Sequence, residues 1–310
     1  MKSLQEVVRQ YMRCPRHWHW EPAEVCLGQL EADHLAQILR CQRCGWTYPI
    51  TPWGPHFLSE DVHEDPFGLG PTERLEQYRR IHFPTGRDLA GDPVATAFGA
   101  SVFDTPFYDA IRGEIAQLGV KELDFAVDIG CATGRSTVDL VSCLSGEGIV
   151  LGVDSNIALL KWAATLVRSS ADLTNSVDRA ISSDLLARFG SDLGKVMFAG
   201  MDALNLAVAS DAVDIVLALN VIDRFDKPEL ALAEIARVTK PGGHFVVACP
   251  FDWPRDRELE FRPLQLSDIV VPEQFELVSN QGAVPWSVPD ARSNRLVHLY
   301  ACEVAVYRRR

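Results

Sequence analysis

FAVDIGCATGRS, residues 125–136, is the stretch on which the reading of this 310-residue chain turns. An apolar run ends in an acid, Asp128, and breaks at once into the small residues Gly130, Cys131, Thr133 and Gly134. The apolar part predicts a buried strand, and the break predicts a tight turn into a helix opening at Arg135. A turn alone does not need the acid, and a core strand does not want it. Glycines let backbone approach a ligand without a Cβ clash, and amides that open a helix face polar ligand atoms. The stretch therefore predicts a bound nucleoside, and the remaining sequence must supply the other walls of its pocket.

Beyond residue 122 the same alternation recurs. GIVLGVD (148–154), KVMFAGMD (195–202), AVDIVLALN (212–220), FELVSN (275–280) and LVHLYACEVAVYR (296–308) read as strands. RSTVDLVSCL and NIALLKWAATLVRSS read as helices, and KPELALAEIARVTKPGGHFVVACP as helix, turn and strand. Apolar strands alternating with amphipathic helices predict an α/β fold, Rossmann-like and doubly wound, with a mostly parallel sheet and a small N-terminal zinc-binding domain. The domain expectation is a zinc-ribbon-like module over 1–60, a linker and helical cap over 61–120, and the nucleoside-binding domain over 121–310. In the cap, TERLEQYRRIHF is given Thr72 as its N-cap.

In doubly wound sheets the residues just past each strand carry the chemistry. Besides Asp128, Asp154 closes its strand 20 residues beyond Gly134, where an acid suits a ribose diol; Ser155 follows it. Asp202, between Met201 and Ala203, is placed to accept from an exocyclic adenine amine. Asn220 ends the next strand beneath the ligand.

The series VDIGCATG, GVDSN, GMDAL, DIVLALN and KPGG, in this order, resembles class I S-adenosylmethionine-dependent methyltransferases over roughly residues 72–310. The resemblance implies S-adenosylmethionine as cofactor, with Asp128 and the Asn220 region at its methionine end, Asp154 on the ribose and Asp202 on the adenine. Ala132 stands where that family has the middle glycine of its turn. The acid and the spacing differ from the dinucleotide pattern G-x-G-x-x-G.

Four of the eight cysteines crowd the first 50 residues. Cys14-Pro-Arg-His17 and Cys41-Gln-Arg-Cys44 each offer two soft donors three positions apart, and two such knuckles complete a tetrahedron around one structural Zn2+. His19 and Cys26 are competing donors. The context RCQRCGWTYPITPWGPHFL is similar to the small zinc-binding activator protein of tRNA and protein methyltransferases, with His17 where that family has a second cysteine.

The expected acceptor is a small polar molecule. Net charge −12 disfavours a nucleic-acid partner, since such binding rests on Lys and Arg contacts to phosphate. No apolar run is long enough for a membrane span. MKSLQEVVRQYMRC lacks the apolar stretch of a secretory signal, so cytoplasm is the expected compartment. GCATGRS, LNVIDR, CPFDW and EQYRRIHFPTG resemble methyltransferases that N-methylate the imidazole of mercaptohistidine in ovothiol biosynthesis, which implies an imidazole, amine or thiol acceptor. Asp223 is the expected orienting group or base, with Tyr78 and His82 closing the pocket and Asp252 and Trp253 nearby. The alternatives are a tRNA or rRNA methyltransferase and an enzyme of the same fold that consumes S-adenosylmethionine without methylating.

Overall fold

The computed structural model describes residues 2–15, 26–58, 70–85, 88, 90–103, 106–118, 123–171, 178–253, 265–271 and 273–310. The chain opens with helix α1 (Leu4–Tyr11), followed by an antiparallel sheet in the order β1 (Leu30–Asp33), β2 (Ile38–Cys41), β3 (Thr47–Thr51), β4 (Gly54–Pro55). Ser3 and Glu6 close a reciprocal cap at the start of α1. Helices α2 (Pro71–His82), α3 (Pro93–Phe98) and α4 (Phe107–Gln117) come next. The cap of α2 differs from the Thr72 expectation. The helix starts at Pro71, whose fixed φ suits the first helical position, and the Glu73 carboxylate takes the Gly70 amide at 3.1 Å.

The rest of the chain alternates as its hydrophobic pattern requires. β5 (Leu123–Ile129) leads to α5 (Arg135–Asp139), β6 (Leu144–Asp154) to α6 (Ile157–Ala171) and α7 (Arg179–Phe189), and these to β7 (Val196–Gly200). Then follow β8 (Val213–Leu219), α8 (Pro228–Val238), β9 (Thr239–Cys249), β10 (Phe275–Pro289) and β11 (Val297–Arg309). Seven strands form one sheet in the order β10-β11-β9-β8-β5-β6-β7. The four pairings from β9 to β7 are parallel, while β11 meets both β9 and β10 antiparallel.

Alternate residues of β5 serve opposite layers, as a pleated strand requires. Ala126 packs with Phe107, Ile111 and Ile115 of α4, while Phe125, Val127 and Ile129 pack with Leu232 and Ile235 of α8. That second layer also contains Val7, Val8 and Tyr11 of α1, and Tyr11 stacks on Phe125 with ring centroids 4.2 Å apart. A parallel crossover ordinarily carries a helix to cover the sheet. The connection from β7 to β8, residues 201–212, has none, and α1 from the other end of the chain fills its place. Leu30, Leu39 and Tyr48 of the small sheet join the same core, so the described residues of the N-terminal segment are continuous with the large domain in space.

Register brings the site together. Ile129 lies opposite Val153 and Ala218, and Asp154 opposite Gly200. The carboxyl ends of β5, β6, β7 and β8 are thus level, and the residues just past them share one rim.

Candidate active site

The turn after β5 is built from left-handed backbone: φ is 69° at Gly130, 47° at Ala132 and 82° at Gly134. Ala132 therefore adopts a left-handed conformation that costs a residue with a Cβ about 1–2 kcal/mol. Its amide donates to Asp154 Oδ2 at 2.8 Å, and the Asn156 amide donates to Asp154 Oδ1 at 2.7 Å. Both carboxylate oxygens keep a second lone pair for a ligand diol. Burial raises the Asp154 carboxyl, against the lowering effect of these amides.

Asp128 does something more local than its expected role at the methionine end. It is 1% exposed, and its Oδ2 accepts from Ser136 Oγ at 2.7 Å and Thr137 Oγ1 at 2.6 Å, locking β5 to α5. Burial pushes its carboxyl up to about 6. Cys131 is buried among Leu160, Ala163 and Phe198, so the site receives its backbone and not its thiol.

Asn220 carries the clearest ligand signal. It sits at φ 54°, tolerable for Asn, with its amide held by the Ala248 carbonyl at 2.8 Å. Its side-chain oxygen is buried with no hydrogen-bond partner. A buried unmatched acceptor costs about 1–3 kcal/mol, which a ligand N–H would recover. At the far end of the rim Asp202 is exposed, its Oδ1 accepting from the Leu204 amide at 2.9 Å, while Ser155 and Ala203 are half-buried beside it.

Helix α2 roofs the rim. Tyr78 lies where the charges of Asp154, Arg224, Arg74 and Asp223 all reach it, and burial with Asp154 raises its phenol. His82 is buried, with Nδ1 2.7 Å from Thr133 Oγ1. Burial, with the Arg135 charge beside it, pushes the imidazole down to about 3, so the ring is neutral and braces the turn. Gln77 donates to the Pro289 carbonyl at 3.1 Å, clipping α2 to the end of β10.

Asp223, the expected orienting group or base, is fully buried. Its Oδ2 accepts from the Asp252 amide at 2.9 Å, and its Oδ1 lacks a hydrogen bond, with Arg224 Nε 3.8 Å away. Burial raises its carboxyl. The open groups are its neighbours. Arg224 donates to the Asp252 carbonyl at 3.1 Å and to Oδ2 at 3.2 Å, and Tyr300 donates to the same Oδ2 at 3.2 Å. Burial and Asp252 push the Tyr300 phenol up to about 12. Trp286 lies tilted against Tyr300 with ring centroids 5.5 Å apart, and its buried N–H lacks a partner. Trp253 is 6% exposed and fills the interior. Sequence reading missed Tyr300 and Trp286; both sit in strand segments whose pattern signals only burial.

A second cluster lies in the N-terminal segment. The sulfurs of Cys14, Cys26, Cys41 and Cys44 all fall within 4.8 Å of one another, with Cys14–Cys44 and Cys26–Cys41 each at 3.7 Å. Four thiolates about 2.3 Å from one zinc would stand about 3.8 Å apart, so this spacing fits the metal and not a disulfide. Cys26, which the sequence offers as a competing donor, is the fourth sulfur of this cluster among the described residues. Residues 12–14 run antiparallel to 27–29, with the Leu27 amide on the Cys14 carbonyl at 2.9 Å, and this return brings Cys26 across. His17 and His19 lie outside the described residues.

The chain is similar to known methyltransferases. A family model described as a methyltransferase domain matches residues 127–247. An uncharacterized 37.1 kDa protein from a Streptomyces fradiae transposon is 24% identical over 73% of this chain and 55% of its own length. The ubiquinone/menaquinone biosynthesis C-methyltransferase of Marinomonas sp. is 30% identical over 54% of this chain and 59% of its own. The chain thus spans little more than half the length of these curated relatives. Among solved structures, the N-methyltransferase NodS of Bradyrhizobium japonicum with bound S-adenosyl-L-homocysteine is 17% identical at TM-score 0.44, over 72% of this chain and 95% of that one. Residues 127–247 of this chain are thus similar to a methyltransferase domain.

Proposed function

We propose that the protein transfers a methyl group from S-adenosylmethionine to the imidazole, amine or thiol of a small polar amino-acid derivative. The observation that carries this reading is the buried, unmatched Asn220 oxygen on the same rim as Asp154 and Asp202. An acceptor-only oxygen suits the ligand's ammonium, a strand-end carboxylate suits its ribose diol, and an exposed carboxylate suits its adenine amine.

S-adenosylmethionine, when bound, supplies an electrophilic methyl group on a sulfonium, and the chain's own residues have to place an acceptor in line with it. Asp223 positions the 250–252 segment through the Asp252 amide. Arg224 and Asp252 then present a charged pair, suited to the carboxylate and ammonium of an amino-acid-like acceptor. Tyr78 closes the pocket from α2, and His82 holds the turn below it through Thr133. Neutral nitrogen or thiolate acceptors need little more than this orientation and a weak base. In the N-terminal segment, one Zn2+ held by Cys14, Cys26, Cys41 and Cys44 is structural, since four thiolates leave no position open for water or substrate. Among the described residues no helix is long and apolar enough to cross a membrane.

The test is mass spectrometry of protein incubated with S-adenosylmethionine and, separately, histidine-derived thiols, amino acids and bulk tRNA. One methyl gained on a small imidazole, amine or thiol is the expected result. Methylated tRNA would overturn the acceptor class, and cofactor consumption without any methylated acceptor would overturn methyl transfer itself.

A further inference from the structure

The connection leaving β7 carries Asp202, yet much of what holds it comes from the opposite end of the chain. The Phe57 amide donates to the Gly200 carbonyl at 2.8 Å, the Arg13 amide to Ala207 at 3.1 Å, and the Ala209 amide to Tyr11 at 2.7 Å. Asn205 Nδ2 donates to the Pro15 carbonyl at 2.6 Å. Met12 pairs with Val208 and His56 with Gly200 as short bridges. From its own domain the segment receives the Asp154 carbonyl on the Met201 amide, and Glu234 with Arg237 on residues 206–208. Between Met201 and Leu206, the part that presents Asp202, a hydrogen bond to another described segment runs from Asn205 to Pro15, the residue after Cys14 of the four-cysteine cluster. The ribbon also abuts the strand directly. A Cβ on Gly54 would lie 1.9 Å from the Phe198 carbonyl oxygen, so β4 seats on β7 only without a side chain there.

We propose that the four-cysteine centre and its ribbon position the adenine-facing loop, so that metal occupancy and cofactor affinity are linked. This rests on the reading of Asp202 as the adenine contact and assigns the N-terminal segment a role in cofactor selection. Zinc fixes Cys14 and Pro15, Pro15 holds Asn205, and Asn205 fixes the short turn that aims the Asp202 carboxylate. Asn205 is a positioning residue in this arrangement. Linkage is reciprocal: if zinc tightens cofactor binding, the cofactor tightens zinc by the same factor.

Calorimetry on the zinc-loaded full chain tests this with S-adenosylhomocysteine and with its inosine counterpart, which lacks the exocyclic amine. Asn205→Ala should retain its zinc, lose about fivefold in S-adenosylhomocysteine affinity, as one hydrogen bond predicts, and narrow the discrimination against the inosine analogue. Gly54→Ala, which wedges β4 from β7, should act in the same direction. Saturating S-adenosylhomocysteine should also shift the metal-transfer equilibrium with a chromogenic chelator towards the protein. If wild type binds the ligand while both variants match it in affinity and discrimination, and the chelator equilibrium does not move, the linkage is refuted and the cofactor reading stands. If wild type does not bind S-adenosylhomocysteine, the cofactor reading falls and the linkage with it.

Discussion

Gly130→Ala tests the geometry of the turn most directly. Gly130 adopts φ 69°, and an added Cβ would lie 2.6 Å from Val221 Cγ2 and 3.0 Å from Val221 Cβ. Two costs follow. An L-residue in left-handed backbone costs about 1–2 kcal/mol, and forcing a methyl group into a filled site costs about 1–3 kcal/mol. Val221 cannot easily retreat, because Asn220 before it is held at φ 54° by its bond to Ala248 and Ile222 after it is fully buried. The expected loss is about 2–5 kcal/mol by urea unfolding, with weaker S-adenosylhomocysteine binding because a displaced Val221 drags Asn220. Val221→Ala removes the atoms at 2.6 Å and leaves the one at 3.0 Å, so Gly130→Ala in that background should cost little beyond the backbone term. The double-mutant cycle should therefore return a coupling of about 1–3 kcal/mol. A stability within about 0.5 kcal/mol of wild type, or a coupling of zero, would refute this account of the turn.

Three further outcomes are expected. The His82 imidazole is held near 3 in the fold against 6.5 unfolded, so its contribution is complete above pH 6.5 and lost as pH falls towards 3. His82→Asn should flatten the dependence of stability on pH between those limits by up to about 1.4 kcal/mol per pH unit, and an unaltered slope would exclude a buried neutral ring. By elemental analysis Cys26→Ser should lose the zinc while His17→Ala keeps about one equivalent per chain, and the reverse pattern would restore His17 as the ligand. Tyr300→Phe removes one hydrogen bond to Asp252 and should lower kcat/KM for the acceptor about tenfold with S-adenosylhomocysteine affinity unchanged; an equal loss in both would move Tyr300 to the cofactor side.

The N-terminal segment also changes what truncation should mean for this protein. Removing it would strip Val7, Val8 and Tyr11 from the sheet, along with the ring stacked on Phe125. A catalytic domain cut at residue 60 would expose that face, because residues 201–212 supply no helix to cover it. The described N-terminal segment is thus a structural part of the large domain's core.

What the amino-acid order determined by itself was everything that depends on near neighbours. Apolar runs named the strands, the residues closing them placed Asp128, Asp154, Asp202 and Asn220 on one rim, and the cysteine pair 41–44 announced a metal knuckle. These signals survive because strand periodicity and turn chemistry act over a few residues. Tertiary structure alone decided the rest. It brought Cys26 to the other three cysteines, because an antiparallel return and not a spacing rule carries that sulfur to Cys14. It turned Asp223 inward, since the Asp252 amide that claims it lies 29 residues away. It brought Tyr300 to Asp252 from 48 residues further along, and α1 to a face left bare by a helix-free crossover. Contacts of that kind depend on which strand pairs with which, and pairing is settled by burial of the whole sheet, which no local pattern encodes.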